Sequence, residues 1–280
     1  MKYCVPYFMD FRYFKLVDEI ILEYKEDNNN IIDYVEEHFK PEQRVIVDIG
    51  RRTEDELNLM LPILKGLHEK HSNMTVKLDS MTPYNFLIEQ DIPFFFSTFC
   101  NKKDEMYGII KCGVSDIYIV ENLAFSLAEV GEYCKSKGVK VRIIPNMCQY
   151  AVGYKHKVPF ACQFFVRPED TQAYEKYVDV FEFVGPLDRM SVLFEIYNNR
   201  QWLGDLSDLI LGMEEKFINK GILPIFGEAR VKCNHNCMVE KCELCLEMQK
   251  LANDLNGMGV KVVTEREKDW KITEDEREIN

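Results

Sequence analysis

Short apolar runs alternate along most of the chain with longer stretches of helical periodicity. Tyr3–Tyr7, Arg44–Ile49, Thr75–Asp79, Pro93–Ser97, Asp116–Val120, Val139–Ile144, Gln163–Val166 and Val178–Phe183 are each rich in Val, Ile, Phe or Tyr. Polar or turn residues bound them, so each is predicted to be a strand. Thr53–Lys70 opens with Thr53 followed by Glu56, the capping-box spacing, and predicts a helix that Pro62 should kink or end. Asn122–Lys137 predicts a helix capped by Asn122 and stopped at Gly138. Pro168–Tyr177 has proline in the first turn with acidic residues behind it, which suits a helix start. Two further helices are expected at Ser191–Asn199 and Leu206–Ile218, and another apolar run at Ile222–Phe226 leads into a cysteine-rich segment.

Strands alternating with helices make a parallel sheet with crossovers, so the class is α/β. An open sheet and a closed one both satisfy this alternation. No G-x-G-x-x-G follows the first strand, which removes support for a dinucleotide-binding open sheet. Eight strands is the count of the (β/α)8 TIM-type barrel, and that is the expected fold. No repeat or Gly/Ser-rich linker divides the chain. The expected organisation is a barrel over 1–228, a cysteine-rich metal-binding extension over 229–264 packed on it, and a charged tail over 265–280.

Composition then narrows the classes. The chain has 280 residues, of which 46% are hydrophobic, enough for a sizeable core. No apolar run approaches the length that spans a bilayer, and the N-terminus is too charged for a signal peptide, so a cytoplasmic protein without a membrane partner is expected. A net charge of -12 argues against a general binder of phosphate backbone, which needs a basic face. Ten cysteines without a signal sequence point away from a disulfide framework. Cys4, Cys100, Cys112, Cys134, Cys148 and Cys162 are scattered singly and read as small core residues.

The other four stand in CNHNCMVEKCELC: Cys233, Cys237, Cys242 and Cys245, spaced C-x3-C-x4-C-x2-C. Thiolates bind soft or borderline metals, and four from one short segment can surround a single centre. Cys242 and Cys245 begin a helical pattern, CELCLEMQKLANDL, whose first turn favours thiolate charge. A 4Fe–4S cluster tolerates irregular spacing, whereas zinc is often held by two C-x2-C knuckles. The spacing leaves both open.

In a barrel, chemistry collects where strands end. The candidate catalytic residues at those positions are Lys77, Asp79, Glu121, Arg142, Asn146, Arg167, Glu182 and Glu228. Asp48, Arg51 and Arg230 are candidates for holding a cofactor. Lys77 and Asp79 share strand parity, and Glu228 and Arg230 would share it on a further strand. Arg142 and Arg167 suit a carboxylate or phosphate, but Arg142, Glu182 and Lys77 could equally form ion pairs that hold the fold together. No Ser-His-Asp spacing, H-E-x-x-H or P-loop is present, and no histidine sits at a strand end.

Arg167–Asp170 (RPED), Asp179 through Gly185, Trp202–Leu206 (WLGDL) and Glu228 shortly before Cys233 and Cys237 occur in that order. Together they resemble the collagenase-like peptidase family, the "U" class whose catalytic type was left unknown. The resemblance covers the second half of the chain. It implies a barrel, and relatives that are either peptidases or 4Fe–4S proteins supporting oxygen-independent hydroxylation of ubiquinone precursors or of RNA. This chain departs from those relatives in clustering its four cysteines, in Met238 where many have proline, and in Pro186 where arginine is frequent.

Three functions follow as expectations. The first is an iron–sulfur enzyme, an oxidoreductase or hydroxylase acting on a small anionic or RNA-linked substrate with an electron-transfer or hydroxylase partner protein. The second is a peptidase or other hydrolase, for which the sequence offers carboxylates but no nucleophile–base pair. The third is a zinc-stapled barrel with a binding role.

Overall fold

The computed structural model describes residues 2–6, 17–24, 37, 39–81, 83–100, 102–119, 126–147, 165–186, 189–212, 218–219, 227–233, 247, 250–251 and 254. The strands are β1 (Lys2–Pro6), β2 (Glu19–Glu23), β3 (Arg44–Asp48), β4 (Thr75–Leu78), β5 (Phe94–Phe96), β6 (Phe99–Cys100), β7 (Asp116–Ile119), β8 (Lys140–Ile143) and β9 (Val180–Glu182), followed by a short pair, β10 (Gly204–Asp205) and β11 (Ile218–Asn219). The helices are α1 (Glu54–Lys70), α2 (Tyr84–Glu89), α3 (Lys103–Lys111), α4 (Leu127–Ser136), α5 (Thr171–Tyr174), α6 (Met190–Asn199) and α7 (Gly227–Arg230). The α/β class expected from the alternation is therefore observed.

One sheet runs β5-β4-β3-β2-β1-β9-β8-β7-β6, with every pairing parallel. Its two outermost strands, β5 and β6, are consecutive in the chain. The Phe94 carbonyl of β5 accepts from the Ser115 backbone N–H at 2.9 Å and from its hydroxyl at 3.2 Å, just before β7. One margin of the sheet, β5, is thus hydrogen-bonded to the residue that leads into β7, the strand next to the other margin.

Period-two alternation sorts the side chains between two faces. One face carries Val45, Val47, Val76, Leu78, Ile117, Ile119, Val141, Ile143 and Phe181, all buried. Helices cover such a face in parallel sheets. α1 offers Leu57, Met60, Leu64 and Leu67, a single apolar stripe at helical spacing. Thr53 and Glu56 make the predicted capping box, and Glu54, Asp55 and Glu56 complement the helix dipole. α4 is capped by the Ser126 hydroxyl, which accepts from the Glu129 N–H at 3.2 Å. It stops where Gly138 takes a φ of +70°, as the sequence predicts.

Several expectations need correction. α1 runs unbroken through Pro62, because burial of its stripe outweighs the one hydrogen bond that proline removes. EIILE of β2 is a strand the pattern reading missed, because its flanking acids mask the alternation. Phe165 and Val166, assigned to a strand, are not in one, and residues 163–164 lie outside the described set. Of the helix expected over Leu206–Ile218, the described residues 206–212 form a 3-10 turn at Leu206–Asp208 and no α-helix, Ile218 belongs to the antiparallel pair β10–β11, and 213–217 lie outside the described residues. Gly227–Arg230 is a helix, so Glu228 and Arg230 do not share strand parity: Glu228 is exposed and Arg230 buried. Residues 247, 250, 251 and 254 are helical and exposed, in keeping with the helical pattern beyond Cys245. Asn122, Cys148, Cys162 and residues 265–280 lie outside the described residues.

Gly131 shows how closely α4 is packed. A Cβ there would meet the Cβ and backbone oxygen of Tyr177, both at 2.7 Å. Gly131→Ala is expected to cost about 1–3 kcal/mol through overpacking. A urea titration against the native chain checks this, and an unchanged midpoint would show that Tyr177 yields freely.

Candidate functional site

The other face of the sheet is charged. Glu19 of β2, Arg44 and Asp48 of β3, Thr75 and Lys77 of β4, Asp116 and Tyr118 of β7, Arg142 of β8 and Glu182 of β9 occupy matching strand parities and meet one another. Burial in such a place is costly unless each charge finds a partner.

Arg142 is the hub and has no solvent exposure. Its Nη1 donates to Glu19 Oε2 at 2.5 Å and Asp116 Oδ1 at 3.2 Å, and its Nη2 to Glu182 Oε2 at 3.2 Å. Arg44 grips Asp116 with two donors, at 2.7 and 2.5 Å, and reaches Thr75 Oγ1 at 2.8 Å and Ser115 Oγ at 3.0 Å. Its Nη1 also stands 3.4 Å from Glu19 Oε1. Both guanidinium groups lie over the Phe95 ring, Arg142 at 5.0 Å and Arg44 at 6.0 Å. The Tyr118 hydroxyl donates to Glu182 Oε2. Burial alone would raise the Asp116 carboxyl, but hydrogen bonds and charge from Arg44, then Arg142, hold it well below the usual carboxylate range.

Toward the end to which the strands run, the face opens. Lys77 Nζ stands 3.1 Å from Asp48 Oδ2, with side chains 17% and 23% exposed, so this pair can be reached by solvent. Burial pulls the Lys77 ammonium down, yet Glu182 and then Asp48 outweigh it and leave its pKa raised. Lys77 therefore stays charged and serves as a cation rather than a base. The Cys4 thiol, buried beside the cluster, is pushed well up, first by burial. Cys100 and Cys134 are pushed up to about 12 by burial, as befits core cysteines without reactivity.

The remaining candidates lie elsewhere. Asp79 is exposed and accepts from the Ser97 hydroxyl at 2.7 Å. Asn146 clamps the chain after β9: its amide donates to Val184 O at 2.6 Å and its oxygen accepts from Val184 N–H at 3.1 Å. Arg51 is exposed, and Glu121 lies outside the described residues. Arg167 holds Asp170 with two donors, at 2.6 and 3.0 Å. Asp170 Oδ1 in turn accepts from the Gly227 N–H at 2.9 Å, and Glu169 accepts from the Trp202 N–H at 2.8 Å. The RPED and WLGDL stretches and α7 are thereby fastened together. Arg230, buried, places its guanidinium 5.7 Å over the Phe165 ring.

Glu19, Arg44, Asp116 and Tyr118 were not among the residues singled out from sequence. Arg44 and Asp116 open their strands and read as boundary residues, Tyr118 reads as an ordinary strand aromatic, and Glu19 lies on the strand that the pattern does not reveal. The usable signal was parity, since Arg44 matches Asp48 and Asp116 matches Tyr118 on the face opposite the apolar residues.

Of the four candidate metal ligands, Cys233 is half-buried, and its N–H donates to Arg230 O at 3.0 Å. Cys237, Cys242 and Cys245 lie outside the described residues. Just ahead of Cys233, Val231 O accepts from the Ala128 N–H at 2.8 Å. Ala128 is in the first turn of α4, where backbone donors lack partners within the helix. Because β7 and β8 are parallel, α4 must begin at the end to which the strands run, so the cysteine segment starts at that end.

Arg142→Met leaves Glu19, Asp116 and Glu182 without their shared cation and is expected to cost about 3–5 kcal/mol by denaturant titration. Asp116 adds a pH signature. Its native pKa is depressed, so its stabilisation is fully present above the unfolded value of about 3.9 and is lost as pH falls below that value toward the lower native one. Asp116→Asn should be less stable than the native chain at neutral pH and lose less stability between about pH 4 and 2. Parallel curves for the two proteins would contradict the assignment.

No protein-family profile and no curated protein matches the sequence. Among solved structures, the U32 peptidase Mk0906 is 12% identical, with 66% of this chain and 93% of that one covered and a TM-score of 0.44. A conserved Enterococcus faecalis protein of unknown function is 12% identical over 73% of this chain and 68% of its own, with a TM-score of 0.41. L-talarate dehydratase from Polaromonas sp. JS666, complexed with Mg and L-glucarate, is 10% identical over 66% and 53%, with a TM-score of 0.38. At these identities and scores the likeness does not extend to activity.

Proposed function

We propose that this chain is a (β/α) barrel enzyme of the collagenase-like peptidase kind, working at the end of the barrel to which the strands run. A metal centre held by Cys233, Cys237, Cys242 and Cys245 would stand beside that end. The observation that carries this reading is the Val231–Ala128 hydrogen bond, which starts the cysteine segment at the same end where Lys77 and Asp48 open to solvent. Closure into a barrel is supported by the bonds joining β5 to Ser115, and by contact between side chains of β3 and β7, which lie far apart in the strand order.

The donor set suits the centre. Four thiolates within thirteen residues fit iron in a 4Fe–4S cluster, with zinc as the competing occupant. A bound cluster supplies electron transfer, which side chains cannot. The chain's own residues bind and orient. Lys77, kept protonated, attracts an anionic group of a small or RNA-linked substrate. Glu182, fixed by Tyr118 and Arg142, is the carboxylate that does most to keep Lys77 charged. An electron-donating partner protein is part of this reading. Hydrolysis ranks below it, because no nucleophile–base pair stands in reach of Lys77 among the described residues.

Anaerobic purification with metal and sulfide analysis tests the proposal, run on the native chain and on Cys237→Ser. About four iron and four sulfide per chain, with a broad visible band lost in the variant, is the expected result. One zinc per chain without a visible band would make the cysteines a structural staple and end the redox reading.

A further inference from the structure

α1 carries two stripes. Leu57, Met60, Leu64 and Leu67 are buried against the sheet. On the opposite side Asp55, Leu59, Pro62, Gly66 and Lys70 recur at helical spacing and share one face. All but the half-buried Gly66 are exposed, and Leu59, at 76%, is the most exposed of the large apolar side chains described. A leucine in that place adds nothing to the core of its own chain. Ile63 stands half-buried at the edge of the same face, so the middle of α1 presents an apolar strip to the outside. Glycine is a poor helix former, and Gly66 weakens α1. What it supplies instead is a notch two turns beyond Leu59.

The strip ends in charges of opposite sign. Glu54 and Asp55 are exposed in the first turn, and Lys70 is exposed at the last residue. Two such helices laid antiparallel, about a two-fold axis passing between Pro62 and Ile63, bring together positions equally far from that axis. Asp55 of each copy then meets Lys70 of the other, Leu59 meets Gly66, and Pro62 meets Ile63. A large side chain falls on a notch and an acid on a base, twice each, in a single register. A parallel arrangement would set Asp55 on Asp55 and Lys70 on Lys70. The face is therefore complementary to itself in one direction only. α2, on the next crossover of the same sheet, adds Ile88, 48% exposed.

We propose that the outer face of α1 docks a second copy of this chain, giving an antiparallel dimer with two-fold symmetry. Leu59 on Gly66 forms its centre, where burial of apolar surface supplies the affinity. The exposed pairs of Asp55 with Lys70 at both ends add little affinity and choose the direction. One helix pair covers less than the roughly 800 Å² that each partner of a stable interface buries, so the dimer is weak and reversible. α1 lies on the outer, apolar side of the curled sheet, away from the charged face. The inference is thus independent of the metal and of the chemistry proposed for the strand ends.

The experiment is sedimentation velocity of the full chain at concentrations between about 1 and 300 µM. The native chain is expected to move from monomer toward dimer across that range. Leu59→Glu, at an exposed position, should weaken association at least about tenfold while leaving the urea midpoint of the monomer unchanged. Asp55→Lys and Lys70→Asp should each associate more weakly alone. Mixed in equal amounts they should form a dimer again, because each variant then carries the charge that the other lacks. Both changes in one chain should restore self-association for the same reason. A native chain that stays monomeric throughout would overturn the inference. So would a dimer that Leu59→Glu leaves intact, or a mixture that associates no better than either single variant.

Discussion

A guanidinium with no access to water cannot be left without anions, and Arg142 imposes that requirement on the whole sheet. Its partners come from β2, β7 and β9, and Arg44 of β3 joins through Asp116. In strand order β3 and β7 have four strands between them, yet their side chains are in hydrogen-bond contact. A flat sheet cannot satisfy that, so the sheet must curl until its charged face looks inward. The apolar face then looks outward and needs helices to cover it, which α1 and α4 do with single apolar stripes. One buried cluster thus sets curvature, strand register and the placement of the helical layer together.

The same cluster grades from closed to open along the strands. Glu19, Asp116 and Arg142 are sealed, whereas Lys77 and Asp48, farther along, touch solvent. Glu182 lies at the border, with one oxygen engaged by the sealed part. Fixing a polar side chain by a rigid shell behind it is how a site is held in readiness. On the far side of β8, the mutual grip of Arg167, Asp170 and Gly227, with Glu169 on Trp202, fixes the route of the chain toward Cys233. A Cβ on Gly227 would come within 2.8 Å of Asp170 O, so only glycine lets α7 approach so closely.

The α/β class, most strands and the caps of α1 were legible because apolar alternation and capping chemistry are local. The losses were non-local. β2 was missed because the acids that flank its apolar core mask the alternation, and their burial against Arg44 and Arg142 comes from distant strands. Leu206–Ile218 reads as helical, yet Leu211 N–H is taken by Asn146 O and Ile218 pairs with Asp205, so long-range hydrogen bonds override local preference. Lys77, Arg142 and Glu182 were visible as charges at costly positions. That Arg142 needs Glu19 and Asp116, 123 and 26 residues away in the chain, could be read only from the folded chain.

Carboxylates from three strands lock Arg142 inside the curled sheet. Guanidinium proton exchange, followed by NMR on protein labelled with nitrogen-15 arginine, measures that enclosure. The Arg142 and Arg44 signals, assigned by their loss in Arg142→Met and Arg44→Met, should persist in slow exchange with water while that of exposed Arg51 vanishes. Exchange of Arg142 as fast as that of Arg51 would mean that the cluster is open, and that something else holds the sheet in its curl.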